Sequence, residues 1–131
     1  MDEKLISRTY AMLYAECHCG NVKLLAAQPP SSITQCNCSI CHRLGALWGY
    51  FDSADVQIRV GDKPLNAYSW GEKSIIYHSC SRCGCTTHYT TTESDGNELV
   101  AINCRMAPLD DIGAIPVREF DGLVTWEYLD E

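Results

Sequence analysis

The chain has 131 residues, of which 46% are hydrophobic and 21% charged, a composition typical of one globular domain. Its net charge of −7 argues against a broad surface for nucleic acid or anionic membranes, because both favour basic patches. No apolar run approaches the roughly 20 residues of a membrane-spanning helix, and the first residues lack the apolar segment of a secretory signal. We therefore expect a soluble, cytoplasmic protein with no nucleic-acid or membrane partner.

Hydrophobic alternation with a period of two dominates the chain and predicts a mainly β fold with little helix. The predicted strands are Thr9–Cys17, Asn21–Ala27, Ala46–Phe51, Val56–Val60, Leu65–Trp70, Ser74–His78, Thr86–Thr92, Glu98–Cys104, Pro116–Phe120 and Val124–Leu129. Gly20-Asn21 predicts a hairpin turn between the first two strands, and Asp95-Gly96 predicts another tight turn. Only Met106–Ile112 indicates a helical turn. Many short, closely spaced strands favour antiparallel sheets in a sandwich or an open barrel.

Nine cysteines are an unusually high number for a chain of this length. In a reducing compartment disulfides are disfavoured, and an odd number cannot all pair within one chain. Metal binding is therefore the better explanation for most of them. Zinc is the natural candidate, because thiolates are its preferred ligands in structural sites.

Two of the cysteine groups have the spacing of a closed zinc site. Cys80 and Cys83 form a C-x-x-C pair followed by Gly84, which permits a tight backbone turn. Cys17 and Cys19 form a shorter pair, in which alternate side chains of an extended segment share a face. Together the two pairs predict a four-cysteine structural site that joins the N-terminal hairpin to the middle of the chain.

A third group, Cys36, Cys38 and Cys41, offers three thiols within six residues. Three protein ligands with one open position are typical of catalytic zinc, whereas four protein ligands are typical of structural zinc. An open position can bind an incoming thiol or water, or polarise a carbonyl. Spacing alone also allows these cysteines to share a single site with other pairs, including a four-cysteine site made with Cys17 and Cys19.

The remaining candidates carry weaker signals. Cys104 lies in an apolar strand and is expected in the core, whereas Cys85 could pack, bind zinc or react as a redox thiol. His42 follows Cys41 directly, so a surface role and a role as ligand or general base both stay open. We expect His18 to be exposed, and His78 and His88 to be packed with satisfied ring nitrogens.

The aromatic residues Trp48, Tyr50 and Trp70 are expected mainly in the core. One of them could equally form the wall of a pocket beside the three-cysteine group.

Three ordered motifs carry a family resemblance. They are C-x-C-G-x-V at Cys17–Val22, C-x-C-x-x-C at Cys36–Cys41 and C-x-x-C-G at Cys80–Gly84, followed by the late segment Pro116–Gly122. In this order they resemble the glutathione-dependent formaldehyde-activating enzyme (GFA) family, which includes centromere protein V-like relatives. The resemblance spans about residues 14–122, so we expect residues 1–131 to form a single zinc-binding domain with that core.

The resemblance implies a fold, a metal content and an activity. The fold is a tent-like arrangement of β-sheets joined by a structural zinc. The implied structural ligands are Cys17, Cys19, Cys80 and Cys83, and the implied ligands of a second, labile, catalytic zinc are Cys36, Cys38 and Cys41. The implied activity is condensation of formaldehyde with glutathione to S-hydroxymethylglutathione, classed as a carbon–sulfur lyase, with glutathione as the small-molecule thiol.

Three functional hypotheses follow for the sequence. The leading one is a zinc-dependent enzyme that acts on glutathione–aldehyde adducts, with Cys36, Cys38 and Cys41 at the catalytic site. The second is a non-catalytic, zinc-stabilised protein-interaction module with unknown protein partners. The third is a thiol redox or metal-handling protein centred on Cys83 and Cys85.

Overall fold

A computed structural model describes residues 12–71, 74–91 and 98–129. The fold is mainly β, as the alternation predicts. The strands are β1 (Leu13–Glu16), β2 (Val22–Ala26), β3 (Ile33–Cys36), β4 (Trp48–Asp52), β5 (Val56–Val60), β6 (Leu65–Tyr68), β7 (Ile75–Cys80), β8 (Thr86–Thr91), β9 (Leu99–Asn103), β10 (Val117–Asp121) and β11 (Glu127–Tyr128). The helices are α1 (Ser39–Leu44) and α2 (Leu109–Ile112), with 3-10 turns at Ser53–Asp55 and Cys104–Met106. None of the described helices has the length and apolar character needed to cross a membrane.

The strands form two sheets. A three-stranded sheet has the order β1-β2-β5, and an eight-stranded sheet has the order β11-β10-β3-β4-β9-β8-β7-β6. Neighbouring strands are antiparallel except for β3 and β10, which pair in parallel from Val117 opposite Ile33 to Phe120 opposite Cys36. This parallel pair brings the late part of the chain beside the three-cysteine group.

The hairpin predicted at Gly20-Asn21 is confirmed, with Leu13 opposite Ala26 and Glu16 opposite Lys23. Gly20 has a φ of 82°, a conformation that glycine adopts without steric cost. Some of the predicted positions, namely Thr9 to Ala11, Thr92 and the Asp95-Gly96 turn, lie outside the described residues.

Three elements differ from the expectations. Strand β3 and helix α1 were not predicted, because four and six residues are too short to show a clear period. The helix ends at Gly45, whose φ of 65° is left-handed. Of the predicted strand Val124–Leu129, only β11 forms. The backbone N–H groups of Val124 and Thr125 donate to the Asp121 side chain and so do not pair with another strand.

The two faces of the eight-stranded sheet have different surroundings. On β9, Val100 and Ile102 belong to the core shared with the three-stranded sheet, while Ala101 packs on the opposite face with the aromatic residues Trp48 and Tyr89. The contribution of the small sheet to that core is its inward face: Leu13, Ala15, Val22, Leu24 and Ala26. Burying a valine or leucine side chain stabilises the folded state by about 1.5–3 kcal/mol.

A stacked pair of histidines lies between β7 and β8. The rings of His78 and His88 are 4.5 Å apart, and each ring has one nitrogen bonded to a threonine hydroxyl, Thr90 at 2.9 Å and Thr87 at 2.7 Å respectively. Both are therefore packed with a satisfied ring nitrogen, as expected. Burial, together with the nearby His78, lowers the pKa of His88 to about 3.

This depressed pKa predicts an acid-sensitive contribution to stability. The unfolded chain binds a proton at His88 near pH 6.5 and the folded chain does not, so stability falls as pH drops below about 6.5. His88→Asn removes this titration. Between about pH 7 and about pH 5, the free energy of unfolding of the wild type should therefore fall by up to about 2 kcal/mol more than that of the variant. Denaturant unfolding of both proteins at the two pH values measures these free energies. An equal change in the two proteins would contradict the prediction.

Candidate functional site

Four of the cysteines meet where the two sheets join. The sulfurs of Cys17, Cys19, Cys80 and Cys83 all lie within 4.8 Å of one another. Cys19 Sγ is 3.7 Å from both Cys17 Sγ and Cys80 Sγ. Tetrahedral zinc with Zn–S bonds of about 2.3 Å would place its sulfurs about 3.8 Å apart, so donor type and spacing both fit zinc. We name these four residues the closed cluster.

Backbone N–H groups support the closed cluster. Val22 N–H donates to Cys17 Sγ and Arg82 N–H donates to Cys80 Sγ, both at 3.3 Å. Such bonds favour the thiolate form that a metal needs. The turn after Cys80 closes through the Gly84 N–H, which donates to the Cys80 carbonyl at 2.9 Å, and Gly84 has a φ of 82°. The glycine after the C-x-x-C pair therefore permits the tight turn that the sequence indicates.

The other three cysteines form a separate group. Cys36 ends β3, Cys38 precedes α1 and Cys41 lies within it, and their sulfurs are also within 4.8 Å of one another. We name this group the open cluster. A site that mixes these residues with Cys17 and Cys19, which spacing alone allowed, is not the arrangement found in the structure.

The open cluster has the electrostatics of a cation site. The contact with Cys41, aided by the backbone N–H of Cys38, lowers the pKa of Cys36 to about 5. The same contact, with burial, raises the pKa of Cys41. Cys36 therefore ionises before Cys41, which keeps its proton. Three soft sulfur donors fit zinc, and Trp48 Nε1–H donates to Cys41 Sγ at 3.2 Å, which orients that ligand.

The end of β10 is tied to the open cluster. Asn37 donates through Nδ2 to Asp121 Oδ1 at 3.1 Å, and Asn37 Oδ1 accepts from the Leu123 N–H at 3.0 Å. Gly122 lies so close that a Cβ there would be 2.8 Å from Cys36 Sγ. Sequence reasoning did not assign Asn37, Asp121 or Gly122 to the site, although the resemblance of Pro116–Gly122 marked the segment.

An aromatic cavity of about 590 Å³ adjoins the open cluster. All three of its cysteines line the cavity, and the aromatic wall includes Trp48, Tyr50, Tyr77, Tyr89, Phe120 and Tyr128. Burial, with the nearby charge of Cys41, raises the pKa of Tyr77, so its hydroxyl stays protonated. The arrangement places three thiols at the wall of a largely aromatic space that is large enough for an organic substrate.

Trp70 and Trp126 complete this wall from more exposed positions. Their exposed fractions are 50% and 73%, and Tyr50 is 39% exposed. The expectation that Tyr50 and Trp70 lie in the core is therefore wrong, and the alternative that such a residue forms the wall of a pocket beside the three-cysteine group is confirmed. Trp48 is buried and also lines the cavity.

The weaker candidates take varied positions. His18 and His42 are exposed, and His42 lines a smaller, polar cavity of about 260 Å³ rather than the aromatic one. Cys104 is buried in the core, as expected, and burial raises its pKa to about 11. Cys85 is half-buried against that core, outside both clusters. None of the nine cysteines forms a disulfide.

Comparison with known proteins gives two matches. A family model described as glutathione-dependent formaldehyde-activating enzyme matches residues 12–117, which include all seven clustered cysteines. A crystal structure of a Rhodobacter sphaeroides protein is similar, with a TM-score of 0.63 and 25% sequence identity over 80% of this chain and 99% of that one. The family match covers most of the chain, and the structural match covers nearly all of the bacterial protein.

The close approach of Gly122 predicts a selective effect on the open cluster. In Gly122→Ala the new Cβ would meet Cys36 Sγ at 2.8 Å and Cys38 Cβ at 3.3 Å, so those residues must shift. We expect zinc affinity at the open cluster to fall by about tenfold or more, with the closed cluster unchanged. Competition with a chromophoric chelator measures both affinities.

Gly113→Ala is the control, because a Cβ there meets only the Leu109 carbonyl, far along the chain from either cluster. Equal zinc affinities in Gly122→Ala and wild type would show that the segment does not position the thiols.

Proposed function

The chain belongs to the glutathione-dependent formaldehyde-activating enzyme family, and from that premise we propose that it is a zinc-dependent enzyme of carbon–sulfur lyase type that acts on glutathione–aldehyde adducts. The observation that carries the proposal is the open cluster at the wall of the aromatic cavity. The proposal includes a single domain over residues 1–131, with its core at about 14–122, and a cytoplasmic location, where thiols stay reduced.

Cys36, Cys38 and Cys41 are the proposed ligands of the reactive zinc. In the described part of the chain, no fourth Cys, His, Asp or Glu joins these three residues. Three protein ligands are the pattern of a catalytic site, because one position remains for water or substrate. When bound, zinc would supply a Lewis acid that favours the thiolate form of a substrate thiol or polarises a carbonyl.

Cys17, Cys19, Cys80 and Cys83 are the proposed ligands of a structural zinc. Cys17 and Cys80 are buried, and the four residues complete a tetrahedral set without a substrate. Because Cys19 and Cys80 are 61 residues apart, a metal here crosslinks the hairpin of the small sheet to β7 of the large one.

The residues around the open cluster orient its thiols and give it an apolar wall. Trp48 fixes Cys41 through its indole N–H, and the protonated Tyr77 hydroxyl is a second hydrogen-bond partner of Cys41. The aromatic wall lowers the local polarity, which strengthens each of these electrostatic interactions. His42 is not assigned the proton transfer, because it lines the other cavity.

The two clusters predict different effects of equivalent substitutions. Cys38→Ser removes one proposed ligand of the reactive zinc, so we expect a folded protein with one zinc per chain and a loss of activity of at least about a hundredfold. The measurements are metal content of anaerobically purified protein, circular dichroism and the rate of S-hydroxymethylglutathione formation, corrected for the uncatalysed reaction.

Cys19→Ser is the matched control in the closed cluster. It should lower the unfolding midpoint, because it weakens the crosslink between the sheets. If Cys38→Ser unfolds the protein as well, the open cluster is structural and the enzymatic proposal is wrong.

Glutathione should perturb only the open cluster. With cobalt substituted for zinc, we expect two ions per chain and a change in the thiolate charge-transfer absorption when glutathione is added, because a substrate thiol enters the free position. The same titration on Cys38→Ser is expected to give no change. One ion per chain under every condition would contradict the proposal and favour a non-catalytic module.

A further inference from the structure

The aromatic cavity indicates which aldehyde the enzyme accepts. Resting on the proposed function, we infer that the aldehyde part of the adduct carries an apolar, uncharged group of aromatic size, so that the preferred substrate is an adduct of an aromatic aldehyde rather than of formaldehyde. The inference depends on the composition, the size and the rim of the cavity.

Apart from the three thiols, the described wall of the cavity contains no side chain that carries a charge at neutral pH: it has no Asp, Glu, Lys, Arg or His. Eight of its side chains are aromatic, and the hydroxyls of tyrosine and serine are its main polar groups besides the thiols. Burying a carboxylate or an ammonium group against such a wall without a partner is costly. Among the described lining residues, the two carboxylates and the amino group of glutathione find no charged side chain as a partner, so this wall suits an apolar substituent better.

The size of the cavity exceeds what formaldehyde requires. A volume of about 590 Å³ lies in the range of pockets that enclose drug-sized molecules. The hydroxymethyl group of the formaldehyde adduct adds only one carbon to the sulfur and would leave most of the wall in contact with water. An aromatic substituent would cover that wall, and each square ångström of apolar surface removed from water contributes about 25 cal/mol.

The rings of the wall are arranged edge to face. The ring centroids of Trp48 and Tyr89 are 4.7 Å apart at 67°, and those of Tyr77 and Tyr89 are 5.4 Å apart at 65°. Aromatic rings prefer this arrangement, in which an edge of one ring meets the face of another. A ligand ring can join such a cluster with the same geometry.

The rim of the cavity includes a strained aromatic residue. Trp126 has a φ of 60°, which is rare for a bulky residue and unfavourable in energy. Its N–H donates to the Asp121 carbonyl at 2.6 Å, and its ring packs on Phe120 at 5.6 Å. The turn therefore holds an indole that is 73% exposed at the cavity wall, where an apolar ligand would cover it.

The reaction on such an adduct needs no further reagent. In the lyase direction the bond between sulfur and the former carbonyl carbon breaks, and its electron pair goes to sulfur. The hydroxyl oxygen forms the carbonyl and releases its proton, which restores the thiol. The synthetic direction reverses each change, and no atom is oxidised or reduced overall.

Two stable thioethers test the inference by binding. S-benzylglutathione is the benzaldehyde adduct without its hydroxyl, and S-methylglutathione is the corresponding analogue of the formaldehyde adduct. With the zinc-loaded full chain, isothermal calorimetry should show S-benzylglutathione binding at least about tenfold more tightly, because burial of the ring is favourable. Equal affinities would overturn the inference, as would binding of neither compound.

Substitutions locate this preference in the cavity. In Trp126→Ala the ratio of the two affinities should fall by about threefold or more, because the ring loses part of its wall. Leu109→Ala is the control: Leu109 is also an exposed apolar residue, but it lies outside the cavity, and its ratio should equal that of wild type. An unchanged ratio in Trp126→Ala would show that the benzyl group binds elsewhere, and would overturn the inference.

Activity separates failure of the inference from failure of the proposed function. Exchange NMR measures how fast glutathione and each aldehyde interconvert with their adduct, with the uncatalysed rate subtracted. We expect catalysis with benzaldehyde to exceed that with formaldehyde by at least about tenfold in kcat/KM. Catalysis with formaldehyde alone would overturn the inference and leave the proposed function standing. Catalysis with neither aldehyde would overturn both.

Discussion

The alternation of side chains across the eight-stranded sheet is the constraint from which the rest of the structure follows. Successive residues of a strand face opposite sides, so each strand contributes to both surfaces of the sheet. On β4, Trp48 faces the aromatic cavity and Phe51 faces the core, and on β9 the same division separates Ala101 from Ile102. One face is covered by the three-stranded sheet, and the opposite face is left to form the cavity beside the open cluster.

The cysteine groups that could hold a metal ion were the part of the site most accessible from sequence. Ligands that are two or three residues apart share a turn or one face of a strand, so Cys36, Cys38 and Cys41 could be grouped from spacing alone. Spacing could not decide which of the separated groups share an ion, because that depends on strand order. The structure shows which thiols lie together: the turn after β1 and the end of β7 bring Cys19 and Cys80 within 3.7 Å, whereas β3 lies elsewhere in the large sheet.

The mainly β class and the N-terminal hairpin were predictable because alternation and turn residues are local signals. The aromatic cavity was not, because its walls come from strands far apart in the chain. Tyr50 and Trp70 show the difficulty. The alternation of apolar residues along a strand is the same whether an aromatic side chain faces the core or a cavity. The parallel pairing of β3 with β10 brings Phe120 and Gly122 to the thiols. This pairing could not be predicted from the local sequence pattern either.

The two clusters differ in what surrounds them, and this difference fits the separate structural and catalytic roles proposed for them. The closed cluster lies between two sheets, where four thiols come together and backbone N–H groups donate to two of them, Cys17 and Cys80. The open cluster lies at the end of one strand and in a six-residue helix, secured by Asn37, Asp121 and Trp48 rather than by a second sheet. Under the proposed function the open cluster would need an accessible coordination position, and the fold can tolerate one there because the hydrophobic core and the closed cluster lie on the opposite face of the sheet.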